Sequence, residues 1–97
     1  GDVLSVSRIA GIMGAKQTSN LIPLCHNINI EKVAIDFIIE EDGIVIESYC
    51  KCNYKTGIEM ESLTAVSIAS LTIWDMCKAV DKNMKISDIK LIEKTKG

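Results

Sequence analysis

At 97 residues with 47% hydrophobic side chains, the chain is long enough to build one core and too short for two, so residues 1–97 are expected to form a single domain. The longest charge-free stretches, Ile9 to Ala15 and Ser62 to Trp74, are too short to span a bilayer and no basic, apolar leader is visible, which excludes a membrane protein and points to a soluble, cytoplasmic one. The net charge is −2, arginine occurs once, and no aromatic residues are interleaved with the lysines, which argues against nucleic-acid binding.

Apolar residues at Val3, Val6, Ile9, Ala10 and Met13 recur at the three-to-four spacing of an amphipathic helix, predicted over Val3 to Ala15 with Asp2 or Ser5 as its cap. Lys16 to Asn29 reads as irregular. It holds the only proline, Pro23, and the only histidine, His26, and its Leu21-Ile22-Pro23-Leu24-Cys25-His26 run is unusually apolar for a loop. From Lys32 the apolar residues alternate through Val33, Ile35, Phe37 and Ile39, the period of a half-buried strand. Ile28 and Ile30 are out of phase with that set, which predicts a bulge or break near Glu31.

Glu41-Asp42-Gly43 supplies turn residues, and Ile44, Ile46, Ser48, Cys50 and Cys52 place a second alternating strand directly after it, so the two strands form a hairpin. Lys55-Thr56-Gly57 interrupts the pattern. From Ile58 the spacing turns helical through Met60, Leu63, Val66, Ile68, Leu71, Trp74 and Ala79, apolar on more than one face, which predicts a long, mostly buried helix. Met84 to Glu93 reads as a last strand, with Ile86, Ile89 and Leu91 apolar.

A helix, a hairpin, a long helix and a strand make an α+β chain: a ferredoxin-like antiparallel sheet with two helices packed on one face. The first strand of the βαββαβ order is missing from this chain, which opens at Gly1 close to the first helix. The sheet is therefore expected to have three strands or to belong to a longer protein.

Cys25, Cys50, Cys52 and Cys77 lack the paired turn spacing of structural zinc sites, and Cys50 and Cys52 alternate with polar residues as core thiols would, so no metal site is expected. Charge is divided along the chain. Residues 31–75 carry nine acids against three lysines, whereas from Lys78 onward six lysines face three acids, a basic end that suits an anionic ligand such as a phosphate ester or simply a solvated edge. A mean hydropathy of +0.21 exceeds what a lone small domain needs, and some of that surplus is expected to face a partner subunit.

Beside that basic end, Asp75 and Lys78 are three residues apart and project from one helix face. Against an apolar wall such a pair can remove and deliver protons; at an open surface it is only an ion pair.

Three segments occur together: Ala10-Gly11-Ile12-Met13-Gly14-Ala15-Lys16 running into Leu21 to His26; Gly57-Ile58-Glu59-Met60-Glu61 with Leu63-Thr64-Ala65-Val66; and Leu71-Thr72-Ile73-Trp74-Asp75-Met76-Cys77-Lys78-Ala79-Val80. Together they resemble the cyclic pyranopterin monophosphate synthase family, the C proteins of molybdenum cofactor biosynthesis. The resemblance covers essentially the whole chain. It implies a lyase that rebuilds a cyclised dihydroguanosine triphosphate into cyclic pyranopterin monophosphate with release of pyrophosphate, with no metal or redox cofactor.

The resemblance also implies roles for particular residues. Asp75 and Lys78 match the catalytic acid/base pair. Leu24, Cys25 and His26 match the family's substrate-binding loop, as do Met60 and Glu61, with Glu59 adjacent; Lys16 and Lys94 match lysines kept near the ligand. Taken alone, His26 would be a locally bonded histidine, Met60 core packing, and Glu59 and Glu61 first-turn carboxylates that favour the helix dipole.

Glu61 and Asp75 are fourteen residues apart, about 21 Å along a straight helix, so a small ligand served by both ends is more naturally held between two subunits. The resemblance implies the same, a hexamer built as a trimer of dimers around a nucleotide triphosphate substrate. The family continues upstream through a strand and a lysine thought to take part in catalysis, and its glycine-rich end is longer than Thr95-Lys96-Gly97. The alternative reading is thus a non-catalytic nucleotide-binding or oligomerising fragment, or a degenerate copy of the fold.

Overall fold

The computed structural model describes residues 2–53 and 58–92. Helix α1 (Val3–Lys16) starts where Asp2 takes an extended conformation and its carboxylate accepts from the Ser5 amide at 3.2 Å and the Ser5 hydroxyl at 2.7 Å. Those bonds, the hydroxyl first, hold the Asp2 carboxyl below its ordinary pKa. A single helical turn, α2 (Thr18–Leu21), follows at once, with the Thr18 hydroxyl donating to the Ala15 carbonyl at 2.8 Å. The segment expected to be irregular from Lys16 is therefore helical until Leu21.

Strands β1 (Ile30–Glu40) and β2 (Gly43–Cys52) pair as an antiparallel hairpin, with Glu40 opposite Gly43 and Glu41-Asp42 as the two-residue turn. Phe37 faces Ile46 and Val33 faces Cys50 across the ladder. The register slips between Ile30 and Lys32, leaving Glu31 as the extra residue of a bulge at the position the broken alternation predicts. Helix α3 (Glu59–Cys77) then returns over the same face.

The core gathers Ala15, Ile35, Cys50 and Ala65, with Ile12, Val33, Phe37 and Ile46 packed around them. Polar bonds tie the layers together. The Ser48 hydroxyl donates to the Ser62 carbonyl at 2.8 Å, joining β2 to α3. Arg8 Nε donates to the Ile35 carbonyl at 2.9 Å while its guanidinium sits 5.2 Å from the Phe37 ring centroid, so α1 is fastened to a strand carbonyl that β2 does not use. The result is the expected α+β arrangement: two helices on one face of an antiparallel sheet, two-stranded among the described residues and consistent with a ferredoxin-like fragment.

Two expectations are corrected. The buried face of α1 is not the apolar stripe read from the sequence. Val6, Ile9 and Met13 are exposed, whereas Ser7, Gly11, Gly14 and Ala15 are buried. The reason is the close approach of α3. A Cβ built on Gly11 would lie 2.4 Å from Ile35 Cδ1 and 2.9 Å from the Ala65 carbonyl oxygen, and one on Gly14 would lie 2.7 Å from Ile68 Cγ1. Only the small residues of α1 fit directly against α3, so Val6, Ile9 and Met13 turn outward while Ile12 packs at the edge of the core.

The second correction concerns the last strand. Met84 to Ile92 forms no strand among the described residues, Glu93 lies outside them, and the sheet has two strands rather than three. A strand exists only through its neighbour's hydrogen bonds, and in a βαββαβ sheet the last strand lies beside the first, which precedes α1. Asp88, at φ 55°, also interrupts any regular extended run. What anchors this segment is Trp74 of α3, whose Nε1 donates to the Met84 carbonyl at 3.0 Å.

Candidate functional site

The loop after α2 closes through a tight turn in which the Cys25 amide donates to the Ile22 carbonyl at 3.1 Å. Pro23 sets the first central position and Leu24 takes φ 64° at the second, the geometry of a type II turn. Glycine normally fills that second position. A leucine there carries a backbone cost of about 1 to 2 kcal/mol, and its side chain is fully exposed, so no packing offsets it.

The turn delivers the loop to the start of α3. Leu24, Cys25, His26 and Ile28 on one side and Glu59, Met60 and Glu61 on the other line a cleft of about 420 Å³. Six of its seven lining residues belong to the set the resemblance singles out. The seventh, Ile28, was legible only as an apolar residue out of phase with β1.

The chemistry of this cleft follows from the helix start. The first N–H groups of α3 lack intrahelical partners and Ile58 provides no side-chain cap, so Glu59 and Glu61 sit in the positive end of the helix dipole. Glu61 is 3% exposed, the most buried charged residue described, and lies close enough to Cys50 to disfavour its thiolate. Burial is the larger cause. It pushes the Cys50 thiol above its usual value, with a Ser62 hydrogen bond working in the other direction. A buried carboxylate, an exposed imidazole and apolar flanks can bind a polar, ring-shaped group edge-on.

The remaining residues lie elsewhere. Lys16, the last residue of α1, lines a separate hollow of about 290 Å³ with Ile12 and residues of the β1 bulge. Lys94 is outside the described residues. Asp75 and Lys78 are at the far end of α3, where Lys78 Nζ donates to Asp75 Oδ1 at 2.8 Å. Among the described residues no apolar wall lies against the pair: the Asp75 side chain is 71% exposed and that of Lys78 53%. The chain thus brings the loop and the start of α3 together but does not bring either to Asp75 and Lys78.

A family model described as the MoaC family matches residues 1–97. The chain belongs to the MoaC family. Over its whole length this MoaC chain is 64% identical to a protein of Peptoclostridium acidaminophilum, 60% to one of Heliobacterium modesticaldum and 54% to one of Rhodospirillum rubrum, each named cyclic pyranopterin monophosphate synthase. It spans 62% of the length of the first two relatives and 60% of the third. No helix among the described residues of the MoaC chain is long and apolar enough to cross a membrane.

Proposed function

We propose that the protein to which this chain belongs is a lyase of molybdenum cofactor biosynthesis that converts a cyclised dihydroguanosine triphosphate to cyclic pyranopterin monophosphate, releasing pyrophosphate. Membership of the MoaC family along the entire chain carries the reading. The cleft between Leu24 to Ile28 and Glu59 to Glu61 supports it by offering a base-sized recess beside a buried carboxylate. In this reading the cleft residues hold the nucleoside part, Lys16 and Lys94 meet phosphate oxygens, and Asp75 with Lys78 moves protons.

The distance along α3 determines how these parts combine. About 21 Å of helix separates Glu61 from Asp75, too far for one small molecule to touch both. The site we propose joins the cleft of one subunit to the Asp75–Lys78 pair of another, within a hexamer arranged as a trimer of dimers. Covering the pair with a neighbouring subunit removes water from it. Each charge then acts on the substrate through a lower dielectric than the open surface allows, and the lysine can release the carboxylate to meet a phosphate oxygen.

The exposure of the pair in a single chain favours a second reading, in which this stretch by itself binds nucleotide and oligomerises without turnover. Single-turnover pyrophosphate release separates the two. Activity is expected from a chain extended upstream and is expected to be lost in its Asp75→Asn variant, while the 97-residue chain binds but turns over weakly. Full activity in Asp75→Asn would end the assignment of Asp75.

A further inference from the structure

The face of the hairpin turned away from the helices carries an unusual arrangement of charge. Alternation places Lys32, Ala34, Asp36 and Ile38 of β1 on that face, opposite Lys51, Tyr49, Glu47 and Val45 of β2. Like is paired with like: lysine faces lysine in one row and acid faces acid in another. Directly opposed like charges destabilise a ladder, and swapping a single pair would have given two favourable rows. None of the four charged residues is in an ion pair among the described residues, where the only such pair is Asp75–Lys78. Tyr49, Ile38 and Val45 are substantially exposed, and no described element covers this face.

The spacing accounts for the arrangement. The lysine row and the acid row lie two residues to either side of the Ala34–Tyr49 row, about 13 Å apart in all. We infer that this face binds the same face of a second copy of the chain, about a two-fold axis that runs across the strands over Ala34 and Tyr49. That rotation reverses each strand and turns the sheet over. It sets Lys32 above Asp36 and Lys51 above Glu47 of the other copy, in four ion pairs, and Tyr49 against its own counterpart at the axis. An isologous contact requires one patch to complement itself, and a patch with a basic row and an acidic row equidistant from a neutral one does so. The like-charge rows that cost stability in one chain become the specificity of the pair, because an axis moved one residue along the strands leaves two of the rows unpaired and one moved onto a charged row stacks like on like.

Zero-length carbodiimide coupling of the unaltered protein tests this, using a mixture of nitrogen-15-labelled and unlabelled chains to identify bonds between copies. Amide links Lys51–Glu47 and Lys32–Asp36 are expected between chains, since within one chain each pair is about 13 Å apart and cannot couple. A protein that sediments as a monomer, or an oligomer without these links, overturns the proposal. Charge exchange gives the second test. Asp36→Lys with Glu47→Lys, and separately Lys32→Glu with Lys51→Glu, should each lower the sedimenting mass, and mixing the two should restore it. Combining all four changes in one chain re-creates self-complementarity and should sediment as the original does. If the single-sign variants keep the original mass, or the fourfold variant does not assemble, this face is not the contact.

Discussion

The unusual residues of this chain are those whose conformation or burial runs against their type. Leu24 is the clearest, a bulky side chain at φ 64° where a type II turn favours glycine. Strain of this kind persists where the surroundings impose it, and here it holds an exposed leucine at the mouth of the cleft. Leu24→Gly is therefore expected to raise stability to chemical denaturation by up to about 1 kcal/mol, the relief of strain exceeding the entropic cost of glycine. The same variant should bind guanosine triphosphate more weakly by calorimetry, because the cleft loses one wall.

Cys50 is the second such residue, a thiol held between the sheet and α3 with Glu61 nearby. Its pKa is raised on folding, so below the unfolded value near 9.0 it stays protonated in both states and contributes nothing that depends on pH. Above that value the unfolded chain loses the proton first and stability falls as pH rises. Urea unfolding at pH 7 and pH 10 should show a larger loss for the original chain than for Cys50→Ala, and an equal loss would mean that Cys50 does not titrate differently in the two states.

Among the elements, the contact between α1 and α3 depends on side chains being absent. Gly11→Ala gains helix propensity of about 1 kcal/mol yet drives a methyl into the Ala65 carbonyl and Ile35, so a net destabilisation of about 1 to 2 kcal/mol is expected in thermal or urea unfolding. Ser7, on the same face, points the other way. Its hydroxyl is fully buried with no hydrogen-bond partner among the described residues, and Ser7→Ala should stabilise by about 1 kcal/mol in the same measurement.

This contact also explains what could be read in advance. The hairpin, its turn and the bulge at Glu31 were legible because strand alternation is a local signal that a slipped residue interrupts visibly. The cleft residues were legible through their resemblance to a family rather than through periodicity. The buried face of α1 was not, since a hydrophobic stripe predicts burial only where the neighbour leaves room for it, and α3 does not. The last strand was misread for a related reason: Ile86, Ile89 and Leu91 carry a strand's composition, but pairing depends on a partner that composition does not reveal.

On the scale of the whole molecule, one chain displays more than it uses. The outward stripe of Val6, Ile9 and Met13, the open face of the hairpin and the exposed Asp75–Lys78 pair are all surfaces that a larger assembly would cover. The central claim is that the cleft at one end of α3 works with the acid/base pair at the other end of a different copy. Subunit complementation in the full-length protein tests it most directly. His26→Ala and Asp75→Asn are each expected to abolish pyrophosphate release alone. After the two are unfolded and refolded together, a shared site predicts recovery of about a quarter of the original activity, since one site in four would pair an intact cleft with an intact Asp75. No recovery from mixed assemblies of the two would contradict the shared site and return the cleft and the pair to a single chain.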